Sequence, residues 1–143
     1  MGLPNNSKRT TNTIGDISEA AIIARFLQIG YVVLTVYGGN QRYDLLIEDA
    51  NSQFWRVQCK TARVEANGTV VAFDTANHNY ALKTKQWRHY RGQCDYFAAY
   101  CEELHKIYFV PVDQVGTTRA NLRLAPAKNN QVKKVRWAQD YEL

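Results

Sequence analysis

The stretch from Arg42 to Ala62 constrains the fold more than any other part of the sequence. Two runs suited to strands, Arg42–Glu48 and Gln53–Ala62, flank Asp49-Ala50-Asn51-Ser52, four residues whose chemistry favours a turn. Side chains on a strand alternate faces, so Phe54, Arg56, Gln58 and Lys60 share one side and Trp55, Val57 and Cys59 the other. The second set suits packing against a helix. A turn centred near Asn51 sets Asp44 opposite Gln58, so that a carboxylate, an amide and an ammonium share one surface. A slip of one residue would send Asp44 to the opposite side. Charge in a mostly buried hairpin is costly unless it is paired or bound to metal, so the cluster marks candidate chemistry.

A helix is predicted over residues 14–29. Thr13-Ile14-Gly15-Asp16 offers a capping-box pattern with the Thr13 hydroxyl as cap. Ile17, Ala20, Ala21, Ile23, Ala24 and Leu27 then recur at steps of three and four, and Gly30 is a natural stop. Glu19 falls on or near this apolar stripe, within reach of the hairpin cluster, and the small Gly15 is expected to let the start of the helix approach the sheet closely. Residues 1–12 are polar and read as a flexible arm. Further strands are expected at Tyr31–Tyr37, Val70–Phe73, Asp95–Cys101 and Lys106–Val110, the last two joined by Glu102-Glu103-Leu104-His105. Pro111 begins a short turn or helix reaching Val115. Residues 82–91, basic and aromatic, fit a short helix or an irregular segment, and Thr117–Leu143 reads as a polar, basic tail. These elements describe one α/β domain over residues 13–143.

Composition narrows the function classes. With 143 residues, 45% hydrophobic and 22% charged, the chain has the balance of a globular protein that folds in water. No apolar run approaches the roughly 20 residues that span a bilayer, and the polar opening segment does not resemble a secretory signal. Cys59, Cys94 and Cys101 fit neither a disulfide framework nor a C-x-x-C metal site, which points to a reducing, cytoplasmic setting. His78, His89 and His105 have no zinc-ligand spacing. The net charge is +5. Residues 1–74 hold seven basic and seven acidic side chains, whereas residues 75–143 hold eleven against six, so the whole excess lies in the second half. Such a distribution suits a polyanionic partner.

Gly15-x-x-x-Glu19, Tyr43-Asp44 and Gln58-Cys59-Lys60 together resemble the PD-(D/E)XK nuclease signature, in the order helix, second strand, third strand. The likeness extends to Val57–Arg63, Cys94–Ala98, Tyr108–Val112, Leu122–Gln131 and Trp137–Tyr141, covering about residues 13–143. It is to the branch of group I intron-associated homing endonucleases. Tyr43 replaces the proline of the signature, and Gln58 stands where an acid is usual. That branch carries the same glutamine, whose oxygen can bind a metal without adding negative charge.

The resemblance implies a restriction-endonuclease-like core, a mixed β-sheet flanked by helices. It also implies a site-specific endonuclease acting on double-stranded DNA with Mg²⁺ or another divalent cation such as Mn²⁺. Glu19, Asp44, Gln58 and Lys60 become the catalytic set. Asp44 is the principal metal ligand, helped by Glu19, the Gln58 oxygen and the Cys59 backbone carbonyl, and Lys60 orients the attacking water. DNA contact is expected from Lys83, Lys85, Arg88, His89 and Arg91, interleaved with Trp87 and Tyr90, and from Arg119, Arg123, Lys133 and Lys134. Cutting two antiparallel strands calls for at least a homodimer, and the resemblance extends this to a homotetramer; no membrane partner is expected. The alternatives are a Holliday-junction resolvase or repair nuclease on the same fold, or a catalytically inactive DNA-binding module.

Overall fold

In the computed structural model the described residues are 2–5, 8–39, 41–78, 87–129 and 133–143, with His78, Trp87 and Arg88 described by backbone alone. The helix α1 (Thr11–Gln28) begins one turn earlier than its capping pattern suggested. Thr10 is the cap: its hydroxyl accepts from Thr13 N at 3.2 Å, so Thr13 is the satisfied donor and not the cap. The other end closes as predicted. Gly30, at φ +94°, follows the helix, Gly30 N donates to Leu27 O and Tyr31 N to Phe26 O. This is a Schellman closure, and it carries the expected apolar contact, with the Phe26 and Tyr31 rings edge to face at 5.6 Å.

The buried face of α1 differs from the predicted stripe. Ser18, Ile22 and Phe26 are buried, while Leu27 is 57% exposed and Ala20 and Ala24 face solvent. Ile22 and Phe26, four residues apart, bring more area to the sheet than the alanines, and they decide which side docks. They pack with Leu45, Ile47, Val57, Ala98 and Ile107, and Trp55 and Cys59 lie against the same cluster, on the helix-facing side as their alternation required.

The sheet is built around one long strand. β1 (Val32–Thr35) pairs antiparallel with β2 (Leu45–Glu48), and β2 with the start of β3 (Phe54–Glu65). β4 (Val70–Asp74) joins the far end of β3 antiparallel. Apart from these lies a two-stranded sheet of β5 (Ala76–His78) and β6 (Trp87–His89). β7 (Tyr96–Cys101) runs parallel to β3 from Val57 to Ala62 and antiparallel to β8 (Lys106–Pro111), and that parallel pair makes the sheet mixed. β9 (Arg119–Arg123) pairs with β4 and completes the seven-stranded sheet.

Three expectations are revised here. Among the described residues one α-helix flanks the sheet, not several. The basic segment 82–91 contributes β6 through residues 87–89, while residues 82–86 lie outside the described residues. The tail contains β9, whose Arg-Ala-Asn-Leu-Arg alternation buries Ala120 and Leu122 against β4. The second core cluster, which includes Phe73, Tyr90, Phe97, Val110 and Leu122, lies around these strands.

Candidate active site

The β2–β3 turn sets the register on which the site depends. Asp49 Oδ1 accepts from Asn51 N at 2.8 Å and Gln53 N at 3.0 Å, and its Oδ2 accepts from the Trp55 indole at 2.9 Å. These bonds fix a turn about Asn51, and Leu45 stands opposite Val57. One more step would set Asp44 against Gln58, but the ladder stops at Leu45. Asp44 N donates to Val57 O at 2.9 Å, and the Asp44 carboxylate accepts from Cys59 N at 2.9 Å. The carboxylate thus satisfies the strand N–H that the ended backbone of β2 leaves open.

That bond also fixes where a backbone acceptor points. The N–H and C=O of one strand residue project to the same edge, so the Cys59 carbonyl faces the gap that Asp44 borders. The Gln58 amide lies over it, with Nε2 3.5 Å from Cys59 O. Turning the amide end for end would present Oε1 to the same point. Glu19 reaches this place from α1. Glu19, Asp16, Gly15, Asn12, Thr11, Asp44 and Cys59 line one open cavity of about 300 Å³. Ser18, beside Glu19, is anchored to β3 by a 2.6 Å hydroxyl bond to Thr61.

Gly15 does not serve the close approach expected of it. A β-carbon there would meet nothing within 4 Å, so the residue borders open cavity and not the sheet. Gly15→Ala is therefore predicted to stabilise the protein by about 1 kcal/mol through helix propensity alone, read as a higher urea midpoint.

Lys60 emerges on the face opposite Cys59. Its Nζ donates to Asn77 Oδ1 at 3.2 Å and approaches the Tyr90 hydroxyl at 3.4 Å, and it sits 4.6 Å from the Tyr90 ring centroid and 6.0 Å from that of Phe97. Arg42 stacks on Tyr90 at 3.8 Å and is tied to Gln93 Oε1 at 2.7 Å and His89 O at 2.8 Å. Arg42 and Asn77 were not among the expected site residues, and Tyr90 was expected only in the DNA-contacting segment. Arg42 was legible in principle, because it lies two residues before Asp44 in the chain. Asn77 was not, because only the β5–β6 pairing brings it near β3.

The electrostatics are those of crowded like charges beside a half-buried cation. Burial, then Asp44, then Asp16 raise the pKa of Glu19 above the usual carboxylate range. Burial raises that of Asp44, opposed by the Cys59 N–H and by Lys60. Burial lowers the Lys60 ammonium to about 8, with Asp44 and Asp74 acting against the shift. The Cys59 thiol is pushed far up by burial, with Asp44 and Glu19 acting in the same direction. All three cysteines are free.

Among the described residues no group of three or more His, Cys, Asp or Glu side chains forms a metal cluster. With an amide at Gln58, the carboxylates on the cavity are those of Glu19, Asp44 and Asp16. Its other oxygens, the Gln58 amide and the Cys59 carbonyl, are hard donors suited to Mg²⁺, which keeps several waters and needs one or two carboxylates. Glu19, whose ionisation is opposed by burial and by the neighbouring Asp44 and Asp16, and Asp44, whose ionisation is opposed by burial, are a fitting seat for a divalent cation.

The basic residues expected to touch DNA separate. Lys83 and Lys85 lie outside the described residues, and Arg88 is described by backbone alone, paired with Asn77. His89 is exposed. Tyr90, interleaved with these basic residues, is 1% exposed and edge to face with Phe97. Three arginines are engaged within the protein: Arg91 donates to Val115 O, Arg119 pairs with Glu65, and Arg123 donates to Ala125 O. Lys133 and Lys134 are exposed beyond β9. No helix among the described residues is long and apolar enough to cross a membrane.

A helix carboxylate, a strand-end aspartate and a strand lysine grouped around a mixed sheet suit the core of a nuclease. The chain belongs to the PD-(D/E)XK endonuclease family, which it matches over residues 9–143. Its fold is similar to that of a bacterial homing endonuclease, I-Ssp6803I, at a TM-score of 0.72 and 29% identity, over 94% of this chain and 89% of the other. No curated protein matches the sequence.

Proposed function

We propose that this chain is a site-specific, Mg²⁺-dependent endonuclease that cuts double-stranded DNA, of the homing type. The observation that carries the reading is the convergence of Glu19, Asp44 and Cys59 on one open cavity, with the Lys60 ammonium in the field of Asp44. Membership of the endonuclease family and the likeness to a homing endonuclease support it.

In this reading Asp44 and Glu19 hold the cation, with the Gln58 oxygen and the Cys59 carbonyl completing the protein share. The bound ion supplies Lewis-acid polarisation of the scissile phosphate and a water nucleophile at neutral pH. Asp44, fixed by the Cys59 N–H, keeps its free oxygen aimed into the gap. Lys60 orients the attacking water and offsets the charge that builds on the phosphorane oxygens. Lys83, Lys85, Arg88 and His89, in and between β5 and β6, together with Lys133 and Lys134, contact the DNA backbone. Because one chain holds one such site, two antiparallel strands are cut by a homodimer or a homotetramer. The protein works inside the cell, where its three free thiols stay reduced.

The experiment is incubation with a plasmid library of random inserts, with Mg²⁺ or with EDTA. Recovered cuts that share one sequence and vanish in EDTA are the expected outcome. The amide at Gln58 favours one rival, a DNA-binding module without catalysis, and binding without any cut would establish it. Gln58→Glu adds the missing charge and is predicted to tighten Mn²⁺ binding about tenfold, measured by isothermal titration.

A further inference from the structure

We infer that Asn77 is a positioning residue for the Lys60 ammonium, a role carried by the β5–β6 hairpin and resting on the reading of Lys60 as a catalytic group. Lys60 leaves β3 with a long flexible stem, and an unrestrained ammonium samples many rotamers, which weakens any single catalytic geometry. Its surroundings reduce that freedom on two sides. The Tyr90 and Phe97 rings lie under it at 4.6 and 6.0 Å, but ring faces restrain a cation only loosely along their plane. The Tyr90 hydroxyl is at 3.4 Å, a long contact. Asn77 Oδ1, at 3.2 Å, is the directional acceptor.

The placement of Asn77 is itself informative. Its backbone is paired in β5 opposite Arg88, yet the residue is exposed, and its side chain turns to Lys60, 17 residues away in sequence. An exposed asparagine contributes little to the core, so the bond to Lys60 does not come at the expense of packing. The acceptor is neutral. A carboxylate in its place would hold the ammonium more tightly and compete with the substrate phosphate, whereas an amide oxygen aligns the cation and leaves its charge available. Asp44 and Asp74 act on Lys60 through space, and Arg42, stacked on the same Tyr90 ring, repels it. The amide is the side-chain acceptor that sets direction amid these longer-range fields.

The test compares wild type, Asn77→Ala and Asn77→Ser, the last keeping an acceptor at shorter reach, in single-turnover cleavage of the duplex recovered from the plasmid library. Asn77→Ala is expected to lower kcat about tenfold with KM for DNA unchanged, and Asn77→Ser to recover part of the loss. In parallel, ¹³Cε relaxation of Lys60 is expected to show a lower order parameter in Asn77→Ala and an intermediate one in Asn77→Ser. Wild-type cleavage by Asn77→Ala, or a loss confined to KM, overturns the proposal, the second because it makes Asn77 a DNA contact. An unchanged Lys60 order parameter overturns it as well. If the wild type cuts nothing, the nuclease reading fails, and the relaxation measurement still decides whether Asn77 restrains Lys60.

Discussion

Replacing Asp44 with asparagine is expected to reduce DNA cleavage by about 10³-fold or more while the fold and its unfolding transition stay intact. The Asp44 carboxylate has two tasks that this substitution separates. One oxygen accepts from Cys59 N at 2.9 Å and closes the strand edge where β2 ends. An asparagine oxygen can accept the same bond, so the N–H is not left bare. The other task is charge. Asp44 is one of three carboxylates on the cavity, with Glu19 and Asp16, and Gln58 adds none, so asparagine would remove a third of the negative charge available to a divalent ion. Asp44→Ala would confound the two tasks by leaving an unsatisfied N–H. Unfolding of Asp44→Asn in urea, run beside its cleavage rate, separates lost chemistry from lost structure.

Phe26→Ala is expected to destabilise the protein by about 4 kcal/mol, the largest stability effect of the changes considered. Phe26 is fully buried and meets two rings edge to face, Tyr31 at 5.6 Å and Phe109 at 5.4 Å. The first contact belongs to the closure of α1, and the second fastens the helix to β8. Truncation leaves a cavity at the joint between the helix and the sheet, and it also removes the apolar partner of the closing turn. Since α1 carries Glu19, a loosened helix also weakens cleavage. Urea denaturation monitored by circular dichroism measures the first effect directly, and an unfolding free energy within 1 kcal/mol of wild type would refute this account of how α1 is held.

The hairpin at residues 42–62 was legible because its determinants are local. A turn about Asn51 fixes which strand residues oppose one another, and alternation then assigns faces, so Val57 and Cys59 toward α1 followed from spacing alone. The end of the ladder at Leu45 was not legible. It depends on the chain turning away at Asp44 and on a side chain replacing a backbone acceptor, which no periodicity records. The docking face of α1 was misplaced for a related reason. Counting apolar positions weighs Ala20 and Ala24 equally with Ile22 and Phe26, whereas burial follows area. β9 went unread because its buried residues number two among charged neighbours, and its pairing with β4 bridges a long separation. The same holds for Asn77, whose nearness to Lys60 arises from the β5–β6 pairing. For the basic residues, charge alone did not record that the guanidiniums of Arg91, Arg119 and Arg123 also bond within the fold.

A crystal soaked in Mn²⁺ and measured at the manganese absorption edge puts the metal site to its most direct trial. Anomalous density within about 2.3 Å of an Asp44 carboxylate oxygen and the Cys59 carbonyl, with Glu19 direct or through one water, is the predicted result. A peak bound elsewhere, with Asp44 still turned only to Cys59 N, would contradict the assignment of this cavity as the catalytic centre.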